Sequence, residues 1–241
     1  MVKILIPLAG DSRIDNESQY LKGLQEIKRK TILQHVIESL TQIKDSEFIF
    51  ILRKDDVNIY HIDNVVKLMV PNAKIIVAES NTAGSACTCL LAIGQLSMEE
   101  PLIVSGSDQL VSWDLQSIVD VFSNYDAGAI VFEDIHPRWS YVKIDENGLV
   151  IEAAEKNPIS RNATTGFYYF KRAEFFVNSV MRMIQKGASV NGSYYVCPAL
   201  NELVLDNKKI KTVKIPKDHV FNFGSKTGIE MYTSFLQEEG D

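Results

Sequence analysis

Apolar and polar positions in the first half of the chain group into two alternating kinds of segment. Val2–Leu8 is apolar without polar alternation, the pattern of a strand covered on both faces. "TILQHVIESL" (Thr31–Leu40) places Ile32, Val36, Ile37 and Leu40 on one helical stripe, with Thr31 as its cap. "EFIFIL" (Glu47–Leu52), "AKIIVA" (Ala73–Ala78) and "PLIVSGSD" (Pro101–Asp108) read as further buried strands. Between them, Asn58–Met69 reads as a helix ending before Pro71, and Ser85–Leu96 as a helix of small and apolar residues. Strands alternating with helices at this spacing predict a largely parallel sheet covered on both faces.

The second half changes pattern. "GAIVFED", "SYVKIDENGLVIEAAEK" and "ATTGFYYFK" are strand-like, and Glu146-Asn147-Gly148 is a hairpin turn signal. A helix over Ala173–Gln185, another around Cys197–Leu205 and the strand-like "KIKTVKIP" follow. No linker, repeat or low-complexity tract divides the chain, so the expectation is one α/β domain with a mixed extension of the sheet.

Composition changes this picture little. The 241 residues are 46% hydrophobic and 23% charged, enough for a substantial core. A net charge of −6 argues against general nucleic-acid binding, while a local basic pocket for phosphates remains compatible with it. Cys87, Cys89 and Cys197 lack metal-ligand spacing and read as thiols in a reducing cytoplasm. His35, His61, His136 and His219 are scattered. The apolar run Ile4–Gly10 is too short for a secretory signal or a membrane span, so the expected location is cytoplasmic, with no membrane partner.

Ligands of such sheets sit at the carboxyl ends of the strands. Polar residues appear there abruptly, at Gly10–Arg13 and Ser105–Gln109. Asp108 stands where a carboxylate could hold a divalent ion on a bound phosphate, and equally where it could cap the next helix. Arg13 and Lys22 follow the first strand and could neutralise a triphosphate, or be ordinary surface charges. Glu155 and Lys156 end a strand, as contact residues or as an exposed ion pair. Gly166 allows a close approach to a ligand or marks a β-bulge. Trp139 in "HPRWSYV" reads as a substrate wall, a dimer edge or core.

Taken in order, these pieces resemble the nucleotidyltransferases that join a nucleoside triphosphate to a sugar phosphate or similar phosphorylated metabolite. "PLAGDSRI…YLKGLQEIKRKTILQHVIESL" is similar to that family's opening motif, L-A-A-G-x-G-T-R…P-K-x-L. "NTAGSACTCLLAI" resembles its base-contacting segment, "VSGSDQ" its strand-end metal aspartate, and "YVKIDENGLVIEAAEKNPISRNATTGFYYF" its sugar-phosphate segment. "FNFGSKTGIEMY" falls where the family carries a second metal aspartate. The resemblance implies a Rossmann-like three-layer α/β/α fold with a mostly parallel mixed sheet. Residues 1–115 would form a nucleotide-binding half and residues 116–241 an acceptor-binding half.

It also implies roles. Leu8, Ala9, Gly10, Asp11, Ser12, Gly84, Ser85, Ala86 and Ser107 would contact the nucleotide. Gln109, Glu155, Lys156, Thr165 and Gly166 would contact the acceptor. Asp108 and Asn222 would hold Mg2+, and Arg13, Lys22, Asp108 and Lys156 would carry the chemistry. The partners implied are a nucleoside triphosphate and a phosphorylated small molecule; pyrophosphate would leave, and the product would serve capsule or surface-polysaccharide synthesis. A homodimer is left open.

Three departures from the motif stand out. The opening loop "AGDSR" lacks the second glycine and is one residue short, Leu21 replaces the proline before the lysine, and Asn222 is neutral. They keep two other readings open. One is a glycosyltransferase of related fold, although "SDQLVSWD" has no D-x-D. The other is a family member that binds nucleotide or sugar phosphate without turnover.

Overall fold

Ile4, Leu5 and Ile6 are all fully buried, yet neighbours along this stretch enter different apolar layers: Ile4 and Ile6 one, Leu5 the other. The same split recurs at Phe48/Ile49/Phe50 and at Tyr168/Tyr169/Phe170. A sheet buried on both faces produces this pattern, because successive side chains point to opposite sides. The computed structural model describes residues 1–10 and 21–238, so Asp11, Ser12 and Arg13 of the expected phosphate loop lie outside the described residues.

The chain opens with β1 (Val2–Leu8), a short hairpin of β2 (Glu26–Ile27) and β3 (Lys30–Thr31), and α1 (Ile32–Leu40). Next come β4 (Ser46–Arg53), α2 (Lys54–Tyr60), α3 (Ile62–Met69), β5 (Lys74–Ala78), α4 (Ser85–Leu90) and β6 (Leu102–Ser105). They are followed by β7 (Gln109–Val111), α5 (Leu115–Phe122), β8 (Ala127–Glu133), β9 (Ser140–Ile144), β10 (Val150–Glu155) and β11 (Asn162–Phe170). The last elements are α6 (Ala173–Gln185), α7 (Val196–Leu205), β12 (Ile210–Lys214), β13 (Val220–Asn222) and α8 (Lys226–Glu238).

Among the described residues the main sheet has nine strands, ordered β10-β9-β11-β6-β1-β4-β5, with β8 also paired to β11 and β12 to β8. Pairing is parallel for β1 with β4 and β6, β4 with β5, and β8 with β12. Only β10 and β11 run against the other strands of this sheet. Ile32, Val66, Leu115 and Tyr232 bring α1, α3, α5 and α8 onto one face. Cys89, Phe176 and Leu200 bring α4, α6 and α7 onto the other. This is the expected three-layer, mostly parallel α/β/α domain.

Local chemistry sets several boundaries. Thr31 Oγ1 accepts from the Gln34 N–H at 3.1 Å and caps α1 as its sequence position predicts. Thr31→Ala is expected to cost about 1 kcal/mol, read as a lower urea midpoint at unchanged slope. The β9–β10 turn forms at Asn147-Gly148, where Gly148 has φ 71° and Asp145 Oδ1 accepts from the Asn147 and Leu149 N–H groups. The helix expected over residues 58–69 is instead two helices. His61 takes a left-handed conformation (φ 51°); its N–H closes α2 on Val57 and its carbonyl opens α3. The helix expected to reach Leu96 stops at Leu90, and a separate 3-10 turn over Ile93–Gln95 follows, with Leu91 and Ile93 exposed. Trp139 is core: it packs edge-on against Phe132, and its Nε1 donates to Asp134 Oδ2 at 3.2 Å. Cys89 and Cys197 are buried thiols and Cys87 is half-buried. Among the described residues, no helix is long and apolar enough to cross a membrane.

Candidate active site

Parallel pairing of β1 and β6 puts their carboxyl ends side by side, so Leu8–Gly10 faces Gly106–Asp108. Between them lies a cleft of about 290 Å³, whose lining includes Leu8, Gly10, Lys22, Ser85, Ser107 and Asp108. Ala9 and Ala86 are buried instead in the apolar layer beneath. Asp108 is half-buried, and burial raises its carboxyl above the usual aspartate range against the pull of the nearby Lys22 charge.

β13 pairs with β7 and brings Asn222 opposite Gln109, while the Phe223 N–H donates to the Asp108 carbonyl at 2.8 Å. Asn222 Oδ1 accepts from the Gly224 N–H at 2.7 Å. A side chain at Gly224 would begin 2.6 Å from Asn222 Oδ1 and 3.5 Å from Asp108 Oδ2. The two oxygens therefore face one small space, which Gly224 leaves open. Among the described residues, no group of three or more His, Cys, Asp or Glu side chains could hold a metal by itself.

A second cavity of about 160 Å³ adjoins the first, and Gln109, Ser140, Glu155, Gly166 and Tyr195 line it. Pro7, Ser85 and Gly106 line both cavities and join them. Asp108 and Gln109, consecutive in sequence, thus serve opposite sides of one divide. Gly166 (φ 75°) sits where the pairing of β11 with β8 shifts register. A side chain there would begin 2.6 Å from Gln109 Oε1, so Gly166 is both a bulge and the space that the Gln109 amide fills. The Gly166 carbonyl accepts from the Gly106 N–H at 3.2 Å, tying the two cavity walls together.

Glu155 accepts from Ser140 Oγ at 2.5 Å. Burial raises its carboxyl, against Ser140 and the Lys156 charge. Burial also pushes the Cys197 thiol up to about 12, so it stays neutral. Lys156 is exposed, and its Nζ donates to Tyr195 Oη at 3.2 Å. Thr165 is buried with its hydroxyl turned to the Ile130 carbonyl (3.5 Å), away from the cavity lining. Gly84 (φ 111°) is explained by the chain itself, because a side chain would begin 2.4 Å from the Tyr194 carbonyl oxygen. Residues 1–115 supply Pro7, Ser85 and Gln109 to the second cavity, and residues 116–241 supply Asn222 near the first. Both stretches therefore contribute to both sides.

Sequence reasoning missed Ser140, Tyr195 and Gly106. Ser140 opens a strand that the pattern predicts, and Tyr195 precedes α7, but only tertiary packing brings either to the cavity. Gly106 was open to inspection, since it interrupts "VSGSD" at a strand end.

The carboxyl edge of this three-layer α/β sheet therefore carries a cleft in two joined parts. The chain belongs to the nucleotidyl transferase family, whose sequence profile matches residues 18–223. Solved structures share its fold. The nucleoside-diphosphate-sugar pyrophosphorylase from Vibrio cholerae RC9 has a TM-score of 0.79 at 23% identity, over 98% of this chain and 100% of that one. UDP-glucose pyrophosphorylase complexed with UDP-glucose has 0.74 at 15%, over 98% of each chain. HddC from Yersinia pseudotuberculosis complexed with GMP-PN has 0.70 at 17%, over 98% of this chain and 100% of that one. A search of curated protein sequences gives no match.

Proposed function

We propose that the protein transfers a nucleoside monophosphate from a nucleoside triphosphate to the phosphate of a sugar phosphate or similar small metabolite, releasing pyrophosphate. The observation that carries this reading is the pair of joined cavities with Asp108 and Gln109 on either side of the divide. The UDP-glucose and GMP-PN named in two of the similar structures support a nucleotide in the larger one.

In the proposed reaction an oxygen of the acceptor phosphate attacks the α-phosphorus. The bond from that phosphorus to the α–β bridging oxygen breaks, and pyrophosphate leaves with the electron pair. Lys156, at the acceptor side, meets the acceptor phosphate. Lys22, close enough to Asp108 to influence its titration, offsets the charge gathering on the leaving group. Arg13 carries the same proposal from its motif alone. An acceptor phosphate is already a nucleophile, so no serine–histidine relay is required. The oxygens of Asp108 and Asn222 suit magnesium, a hard ion that takes few protein carboxylates and completes its shell with phosphate oxygens. When bound there it would neutralise charge on those phosphates.

The test pairs a thermal-shift screen of CTP, UTP, GTP, ATP and dTTP, each with magnesium, with a pyrophosphate-release assay against sugar, polyol and amino-alcohol phosphates. The expected result is that a nucleotide which raises the melting temperature also supports release with an acceptor. Nucleotide binding by calorimetry with no release from any acceptor would replace this reading with binding without turnover.

A further inference from the structure

Lys156 stands beside the acceptor cavity in a backbone conformation that a lysine rarely adopts, with φ 52°. Its N–H donates to the Trp139 carbonyl at 3.1 Å, which sets where its side chain leaves the chain. The ammonium donates to Tyr195 Oη at 3.2 Å and lies 4.9 Å from the centre of the Tyr195 ring. Glu155, next in sequence, takes the Ser140 hydroxyl as its hydrogen-bond partner.

Tyr195 is itself firmly mounted. The preceding residue, Tyr194, donates its N–H to the Ala83 carbonyl at 2.7 Å, and its carbonyl accepts from the Ala86 N–H at 3.0 Å. Gly84 leaves room for that contact and for nothing larger. On the other side, Val196 and Cys197 are buried at the start of α7. The segment clamped to Tyr194 includes Ser85, which lines both cavities.

We infer that Tyr195 is a positioning residue: its phenol and ring face hold the Lys156 ammonium at the acceptor cavity, and the Ala83–Ala86 clamp on Tyr194 ties that placement to the nucleotide side. The inference rests on the transferase reading above. Its physical basis is the kind of tether involved. A neutral phenol and an electron-rich ring both attract an ammonium without cancelling its charge. An arriving phosphate forms a stronger, charge-assisted hydrogen bond and draws the lysine to itself, whereas a carboxylate partner would compete for it.

Two variants separate the parts. Tyr195→Phe keeps the ring and removes the phenol, and Tyr195→Leu removes both. Tyr195→Leu is expected to raise the acceptor KM about tenfold with kcat and nucleotide Kd nearly unchanged, and Tyr195→Phe to fall between it and the native protein. In a Lys156→Ala background, Tyr195→Leu should add nothing, because the partner is gone. An undiminished extra effect there would show Tyr195 acting as a cavity wall and overturn the inference.

A second readout needs no turnover. After reductive 13C-methylation, the Lys156 methyl resonance should be moved by the ring in the native and Phe proteins. In the Leu protein it should return to the position of solvent-exposed lysines. An unchanged Lys156 resonance in the Leu protein refutes the inference even in an active enzyme. Absence of pyrophosphate release from any acceptor refutes the transferase reading and leaves the resonance to decide this one.

Discussion

Asp108→Ala is expected to lower pyrophosphate release by about a thousandfold while leaving the protein folded, because it removes the carboxylate that faces Asn222 across the space at Gly224. The check is kcat with saturating substrates, alongside a melting curve. Activity within a few-fold of the native protein would remove Asp108 from the reaction. Asp108→Asn gives a second, independent signature. Burial raises the Asp108 carboxyl above its ordinary value, so the folded state holds this proton more tightly than the unfolded chain does. The sign follows: stability is lost as pH rises from the ordinary aspartate range through the raised folded value, and the loss is complete above it. Asparagine carries no such proton. The variant should therefore melt higher than the native protein at pH 7, and the gap should close towards pH 3. A gap that is constant with pH would show that burial of the charge is not what the asparagine relieves. The two outcomes together would show function and stability pulling in opposite directions at Asp108.

Gly84→Ala is expected to destabilise the fold by about 3 kcal/mol, near 10 °C in melting temperature for a chain of this size. Two effects add. The backbone sits at φ 111° and ψ 172°, a region that side chains rarely enter. A Cβ there would also begin 2.4 Å from the Tyr194 oxygen and 2.7 Å from its nitrogen. Those atoms are backbone and cannot rotate away, and their bonds to Ala86 and Ala83 would have to stretch or break. Because Ser85 lies within this clamp, acceptor and nucleotide affinity should both fall even in molecules that remain folded. Calorimetric melting and two binding titrations check it. A shift of less than about 2 °C would mean that the two segments part easily.

Gly84 carries a second requirement that its motif did not announce. The resemblance placed it against a nucleotide base, and in the structure a Cβ there would also run into the Tyr194 backbone. Gly166 is similar: the space beside it is filled by Gln109 of the same chain. A sequence shows that a side chain is missing, but not what occupies the space.

What the sequence determined by itself came from local pattern and local bonding. The strands β1, β4, β5 and β8, the helix α6 and the Thr31 cap follow from unbroken apolar runs, from side chains that repeat at 3.6 residues and from a hydroxyl three residues from its donor. The strand ends where Asp108, Glu155 and Lys156 stand were legible for the same reason. The break at His61 was not, since no glycine or proline stands between residues 58 and 69 and only the backbone of His61 turns. Nor were Leu115–Phe122 and Lys226–Glu238 recognised as helical, although Asp114 accepts from the Ser117 N–H like any N-cap. Tertiary structure alone decided which residues meet. The pairing of β13 with β7 carries Asn222 across to Asp108, and the Tyr194 clamp delivers Tyr195 to Lys156, from positions separated by 39 residues or more in the chain. Such contacts have no signature in local periodicity, because they depend on how strands cross and on backbone bonds formed only after the sheet has assembled.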